Sequence, residues 1–143
     1  MPLGRVLGID AGERRIGLAL SDETRLLATP YRVVQRDKGL GPAIDMIANV
    51  AKIQNVELIV VGLPLNTDGS HGRQANRAAN FAKIVGRVTE LPVEMWDERY
   101  STQDAEARIR EAGGELRSHG PVDSQAAAVI LQGFLDAQPK QAE

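Results

Sequence analysis

The 143-residue sequence contains no cysteine, which excludes a disulfide scaffold, a thiolate zinc site and a cysteine nucleophile. Aromatic residues make up only 3% of the chain, so the sequence offers no platform on which nucleic-acid bases could stack. The longest apolar stretch, residues 58–65, is too short to span a bilayer and contains Gly62 and Pro64. No apolar segment of a secretory signal opens the chain. These absences predict a soluble, cytoplasmic protein that does not bind membranes.

The net charge is also small, since 17 basic and 19 acidic residues give −2 at pH 7. The chain as a whole is therefore not an electrostatic attractant for nucleic acid, and an anionic partner must be held by a local basic patch or by metal ions. Residues 70–89 form such a patch, because they contain no acidic residue. Its basic residues are Arg73, Arg77, Lys83 and Arg87. The first two stand one helical turn apart, and the cluster favours an anionic ligand over a merely solvated helix face.

Hydrophobic periodicity predicts one α/β domain over residues 1–138, followed by a flexible tail at 139–143. Five strands are expected at 5–10, 15–21, 26–35, 57–62 and 91–96, and helices at 42–54, 75–88, 101–111 and 122–135. The short connection at 11–14 predicts an antiparallel hairpin, and Pro30 favours an edge position for the third strand. Three leading strands followed by strand–helix alternation predict a mixed five-stranded sheet flanked by helices.

Helical spacing also predicts which side chains are buried. In the first helix these are Ile44, Ile47, Ala48, Ala51 and Ile53. In the second they are Ala78, Phe81, Ala82 and Val85. In the last helix they are Ala126, Val129, Ile130 and Phe134.

Acidic residues follow two of the predicted strands. Right-handed crossovers would make the strands ending at Asp10, Gly62 and Trp96 parallel, so that their carboxyl ends share one edge of the sheet. Glu98 would then lie at the same edge as Asp10, and Asp123, in the first turn of the last helix, could reach it. Three converging carboxylates repel one another unless protons or a divalent cation offset their charge. Oxygen ligands without histidine or cysteine suit Mg²⁺ or Mn²⁺.

Each acid also has a structural interpretation. Asp10 could cap the following glycine turn, and Asp97 with Glu98 could form a solvated acidic turn. Asp123 could simply interact with the helix dipole. These alternatives stay open on the residues alone. The histidines and hydroxyl residues favour no other enzyme class: His71 and His119 lie in polar loops, and Ser21, Ser101 and Thr102 have no histidine base nearby.

Four segments of the chain, taken together, resemble the YqgF/RuvX family, whose members are described as pre-16S rRNA nucleases and as Holliday-junction-resolvase-like proteins. The segments are residues 8–22 (GIDAGERRIGLALSD), 60–72 (VVGLPLNTDGSHG), 96–102 (WDERYST) and 122–136 (VDSQAAAVILQGFLD). The resemblance covers nearly the whole chain and implies a ribonuclease H-like fold. It also implies a metal-dependent nuclease in which Asp10, Glu98 and Asp123 are catalytic carboxylates that bind Mg²⁺ or Mn²⁺. Asn66 and Arg99 match family positions near the active site.

The predicted activity is hydrolysis of phosphodiester bonds in a structured nucleic acid. The resemblance points to the 5′ end of pre-16S rRNA, and also to DNA Holliday junctions, with the protein as a monomer or homodimer. Phosphates would be positioned by basic and polar side chains, without reading of the base sequence. These side chains are Arg14, Arg15, Asn66, Arg73, Arg77 and Arg99. Arg14, Arg15 and Arg99 are expected beside Asp10 and Glu98.

Two other functions remain compatible with the sequence. One is a non-catalytic module that binds nucleic acid or the transcription machinery, although the chain retains all three acids. The other is a small relative of actin-like ATPases and sugar kinases, which also open on an apolar strand, Asp and Gly, but need a longer chain for two lobes. One departure from the family concerns its basic run before the last helix: the corresponding residues 116–121 (LRSHGP) are much less basic.

Overall fold

The computed structural model describes residues 4–100 and 122–139. The elements are β1 (Arg5–Ala11), β2 (Arg15–Ser21), β3 (Ala28–Gln35), α1 (Leu40–Ile53), β4 (Val56–Leu63), α2 (Arg73–Thr89), β5 (Val93–Asp97) and α3 (Val122–Ala137). A single 3-10 turn, Glu98–Tyr100, continues from β5. The predicted helix at 101–111 and the polar loop with His119 lie outside the described residues.

The five strands form one sheet in the order β3-β2-β1-β4-β5. β2 pairs antiparallel with both β1 and β3, whereas β4 pairs parallel with β1 and β5. This arrangement confirms the predicted mixed sheet, the hairpin and the edge position of β3. The carboxyl ends of β1, β4 and β5 therefore meet at one edge, as the crossover argument predicts.

Helices cover both faces of the sheet. α1 and α2 pack on one face, around a cluster that includes Leu7, Ile9 and Ile16. α3 packs on the other face with Val6 and Val60. Because adjacent residues of a strand point to opposite faces, a strand covered on both sides is apolar throughout. The continuous apolar run of β4 has this cause.

The prediction that Ile53 of α1 is buried is wrong. Ile53 is 72% exposed, and Ala48 is only half-buried. Ile53 follows Ile47 by six residues and so points about 120° away from it around the helix. Ala43 and Val50, at the proper spacing, complete the buried face instead.

The predicted inward face of α3 is partly wrong. Ala126 and Val129 are only half-buried, and Ala127 and Leu131 are fully buried. Residues 126–131 (AAAVIL) are apolar at every position, so periodicity alone does not select a face there. A small residue on the sheet selects the face. Gly8 of β1 lets α3 approach closely, because a Cβ added at Gly8 would lie 2.7 Å from Leu131 Cβ.

A buried glutamine ties α3 to the start of β3. Gln132 is completely buried, and its Oε1 accepts a hydrogen bond from the amide of Ala28 at 2.9 Å. Its Nε2 donates to the carbonyl of Leu26 at 3.0 Å and to Asp136 at 2.9 Å. A buried amide group is stable only when it is hydrogen-bonded in this way. Gln132 therefore fixes how the helix that carries Asp123 sits on the sheet.

Candidate active site

The cleft at the carboxyl edge of the sheet contains two acidic side chains from different strands. Asp10 is the penultimate residue of β1, and Glu98 is the first residue after β5. They line a cleft of about 120 Å³, whose other walls come from the β1–β2 turn, the end of β4 and the first turns of α2. The complete lining is Asp10, Ala11, Gly12, Glu13, Gly62, Pro64, Gln74, Arg77, Ala78 and Glu98.

Both carboxyl groups hold their protons more tightly than usual. Burial raises the pKa of Asp10, and the nearby charge of Asp123 raises it further. Burial, followed by the charges of Asp10 and Asp97, raises the pKa of Glu98 to about 7. Carboxylates that are both desolvated and close to like charges favour a proton or a bound cation. The cleft therefore has the electrostatic character of a cation site.

Glycine at the end of β4 leaves room for Glu98. A Cβ added at Gly62 would lie 2.7 Å from Glu98 Oε2 and 2.7 Å from Ile130 Cδ1. Any other residue would push the carboxylate out of the cleft or displace α3. The sequence gives no specific signal for this role, because a glycine that ends a strand is equally typical of an ordinary turn.

The third predicted carboxylate, Asp123, lies at the start of α3, close enough to Asp10 for their charges to interact. Gly17 makes this position possible. It is the partner of Asp10 across the β1–β2 ladder, and a Cβ added there would overlap the carbonyl oxygen of Asp123. The carboxylate of Asp123 is bound by Arg15, whose Nε lies 3.0 Å from Oδ2.

The structure brings Asp10 together with Glu98, and it places Asp123 close to Asp10. Within residues 4–100 and 122–139, no group of three histidine, aspartate or glutamate side chains is arranged to hold a metal ion. Asp10 and Glu98 share the cleft, while Asp123 is turned to Arg15. The carboxylate oxygens of Asp10 and Glu98 suit a hard cation such as Mg²⁺ or Mn²⁺. Their raised pKa values agree with this, and Gly62 leaves room for Glu98 in the cleft. Asp10 and Glu98 could hold such a cation, with Asp123 adjacent.

Arg99 does not line the cleft as expected. Its Nε and Nη2 donate to the carboxylate of Asp97 at 2.6–3.1 Å, and its Nη1 donates to the carbonyl of Thr67 at 3.3 Å. The guanidinium thus joins the end of β5 to the loop after β4. Hydrogen bonds from Arg99 also hold the pKa of Asp97 below its usual range.

Asn66 likewise stabilises the loop before α2 and does not line the cleft. Its Nδ2 donates to Ser70 Oγ at 2.9 Å, and its carbonyl accepts from the amide of Gly69 at 2.8 Å. The side chain also packs beside Gly72, where a Cβ would lie 3.3 Å from Asn66 Oδ1. The loop is therefore organised before any ligand binds.

Among the predicted phosphate-binding arginines, Arg77 reaches the cleft. It lines the wall formed by α2 and makes an ion pair with Glu13 of the β1–β2 turn at 3.2 Å. Arg14 is exposed in that turn, and Arg73 is exposed at the first position of α2. His71 is exposed, as predicted.

The raised pKa of Glu98 predicts a pH-dependent stability of the metal-free protein. Since the folded state binds this proton more tightly than the unfolded state, the stabilising contribution of Glu98 is complete below its ordinary pKa of 4.5 and is lost as pH rises to about 7. Solvent screening limits the loss to about 1–2 kcal/mol. Urea unfolding of wild type and Glu98→Gln in EDTA at pH 5 and pH 8 measures it. An equal pH dependence in both proteins would contradict the assignment.

None of the described helices combines the length and apolar character that crossing a membrane requires.

Comparison with known proteins identifies close relatives. A family model described as "RuvX: Holliday junction resolvase" matches residues 4–137. A protein of Anaeromyxobacter sp. (strain Fw109-5), named "Putative pre-16S rRNA nuclease", is 48% identical over 135 residues, which are 94% of this chain and 98% of the relative. A Rhodococcus opacus (strain B4) protein of the same name is 44% identical over 142 residues, or 96% of this chain and 80% of the relative.

Solved structures show the same fold. RuvC of Thermus thermophilus in complex with a Holliday junction substrate superposes with a TM-score of 0.67 at 17% identity, over 91% of each chain. A second Thermus thermophilus RuvC structure gives a TM-score of 0.66 at 16% identity, over 90% of this chain and 92% of that one. The predicted ribonuclease H-like fold is thereby confirmed.

Proposed function

Because this chain belongs to the RuvX Holliday junction resolvase family, we propose that it is a divalent-metal-dependent nuclease whose catalytic carboxylates are Asp10, Glu98 and Asp123. The observation that carries the proposal is the meeting of Asp10 and Glu98 in one cleft at the carboxyl edge of a RuvC-like sheet. Ligands of open α/β folds bind at this edge. The reaction is hydrolysis of a phosphodiester bond in structured nucleic acid.

The carboxylates have distinct roles in this scheme. Asp10, at the end of β1, and Glu98, just after β5, would hold the cation. Asp123 completes the set from α3. A bound Mg²⁺ or Mn²⁺ would supply Lewis acidity and lower the pKa of the attacking water. No side-chain nucleophile is required, which agrees with the lack of cysteine in the sequence.

Basic side chains around the cleft position the substrate backbone. Arg77 lies in the cleft wall and is the arginine best placed to contact a phosphate next to the carboxylates. Arg14 and Arg73 extend the positive surface on the two sides of the cleft. Contacts of this kind set affinity and orientation without base recognition. Arg99 and Asn66 act indirectly, by holding the loop after β4 against the end of β5.

The relatives favour one substrate. Those compared at 44–48% identity are named for pre-16S rRNA, so we propose the 5′ end of this precursor as the main substrate. Cytoplasmic location would follow from such a substrate. The family description favours a second candidate, the four-way DNA junction. Symmetric cleavage of a junction requires two active sites, and therefore a homodimer, whereas trimming of an RNA end requires only a monomer.

A cleavage assay distinguishes these substrates. Purified protein is incubated with pre-16S rRNA, unstructured single-stranded RNA and a four-way DNA junction, each with Mg²⁺, Mn²⁺ or EDTA. We expect metal-dependent cleavage of the precursor near its 5′ end and little cleavage of unstructured RNA. Preferential cutting of the junction would favour the second candidate. Salt-dependent binding that persists in EDTA, with no cleavage by any metal-loaded sample, would instead support a non-catalytic binding module.

A further inference from the structure

The ion pair between Arg15 and Asp123 lies at the candidate metal site. Arg15 opens β2, and its Nε donates to Asp123 Oδ2 at 3.0 Å. Asp123 in turn lies close to Asp10, because its backbone rests on Gly17, which is the partner of Asp10 across the β1–β2 ladder. The guanidinium thus supplies a positive charge to the same acidic group that a divalent ion would neutralise.

The two partners differ in how easily they can move. The side chain of Arg15 is 58% exposed, whereas that of Asp123 is 27% exposed. Asp123 also belongs to a helix whose backbone rests directly on Gly17. Arg15 is therefore the partner that can swing into solvent at little cost. An ion pair with one partner this exposed contributes at most about 1 kcal/mol, so a divalent ion can displace it.

We propose that Arg15 is a placeholder cation, which occupies Asp123 in the metal-free protein and must leave before this carboxylate can take part in binding a divalent ion. The inference rests on the proposed function, because it takes Asp123 as one of the metal-binding acids. Arg15 then influences the affinity of the site for the divalent ion, because the two cations compete for Asp123. In the metal-free protein, the charge of Arg15 offsets the repulsion among the carboxylates. The ion pair with Arg15 accounts for the lack of a three-acid cluster that is arranged to hold a metal ion among the described residues.

Calorimetric titration of the full chain with Mn²⁺ tests the placeholder. We expect Arg15→Gln to bind Mn²⁺ about twofold to fivefold more tightly than wild type, because the competing cation is gone and the pair contributes at most about 1 kcal/mol. Arg15→Lys, which keeps the charge but loses the planar fork, should fall between the two. Arg14→Gln is the matched control, because it removes the neighbouring positive charge and should change the affinity less than about twofold.

Two further variants separate the placeholder from the metal site itself. In an Asp123→Asn background, adding Arg15→Gln should no longer change Mn²⁺ affinity, since the pair is already broken. Unchanged or weaker binding by Arg15→Gln, while Asp10→Asn loses Mn²⁺, would overturn the placeholder and leave the proposed function standing. Equal Mn²⁺ binding by wild type and Asp10→Asn, or none by wild type, would overturn both.

Discussion

Asp10→Asn is expected to lower metal-dependent cleavage by at least about a thousandfold, equivalent to about 4 kcal/mol of transition-state stabilisation. Asparagine fills the same space but removes the charge that, in the proposed function, would hold the cation. The initial rate of cleavage at saturating Mn²⁺ measures the loss. Circular dichroism of both proteins checks that the fold is unchanged.

The same variant should not lose stability in metal-free buffer. Burial and the charge of Asp123 raise the pKa of Asp10, so ionised Asp10 destabilises the folded state near neutral pH. A neutral isostere removes that cost, and the melting temperature in EDTA at pH 8 should be equal to or above that of wild type.

Asp22→Asn is the control for the melting temperature, which this variant is expected to change in the opposite direction. Asp22 accepts hydrogen bonds from the amides of Leu26 and Leu27, and these bonds help to keep its pKa below the usual range. Its replacement should lower the melting temperature and leave cleavage unaffected. Wild-type cleavage by Asp10→Asn would exclude Asp10 as a metal-binding residue, and a clear drop in its melting temperature would assign it a structural role.

Gly17→Ala is expected to damage the site without touching a carboxylate. The added Cβ would overlap the backbone of Asp123, and backbone cannot yield as a flexible side chain does. The first turn of α3 must therefore move off the sheet, away from Asp10. We expect a loss of about 1–3 kcal/mol in unfolding free energy and at least about a tenfold loss of cleavage.

Gly41→Ala is the matched control for Gly17→Ala. Gly41 lies in the first turn of α1, and a Cβ added there would meet nothing within 4 Å. Alanine favours a helix over glycine by about 0.5–1 kcal/mol, but Pro42 disfavours the helical conformation of a preceding residue that has a Cβ, so this variant should stay within about 1 kcal/mol of wild type, with unchanged activity. If Gly17→Ala behaved like Gly41→Ala, the close contact of α3 with β2 would not be what places Asp123.

The strands and their directions could be predicted from local pattern. The apolar run of β4, the short connection between β1 and β2 and the position of Pro30 each indicate one arrangement, and together they place the ends of β1 and β5 at one edge. The position of Glu98 beside Asp10 follows from that topology. Residues 101–121, which include a predicted helix, stay outside this comparison.

The parts that failed depend on contacts that pattern does not encode. The face of α3 is chosen by glycines on β1 and β2 that are distant in sequence, whereas the unbroken apolar run at residues 126–131 does not select one. Pattern also does not show the partner of Arg99, which is the carboxylate of Asp97, two residues before it. The pairing of Arg15 with Asp123 likewise joins residues more than a hundred positions apart.

The hydrogen bond from Ala28 to Gln132 joins residues 104 positions apart, and α3 packs on one face of the sheet, against Val6 and Val60. During synthesis, chains fold from the amino terminus onwards. The hairpin and both parallel ladders can therefore form on a nascent chain before α3 and Asp123 have been added. A prematurely terminated product that lacks α3 would leave apolar residues such as Val6 and Val60 without their packing partners on that helix, and this surface would favour aggregation.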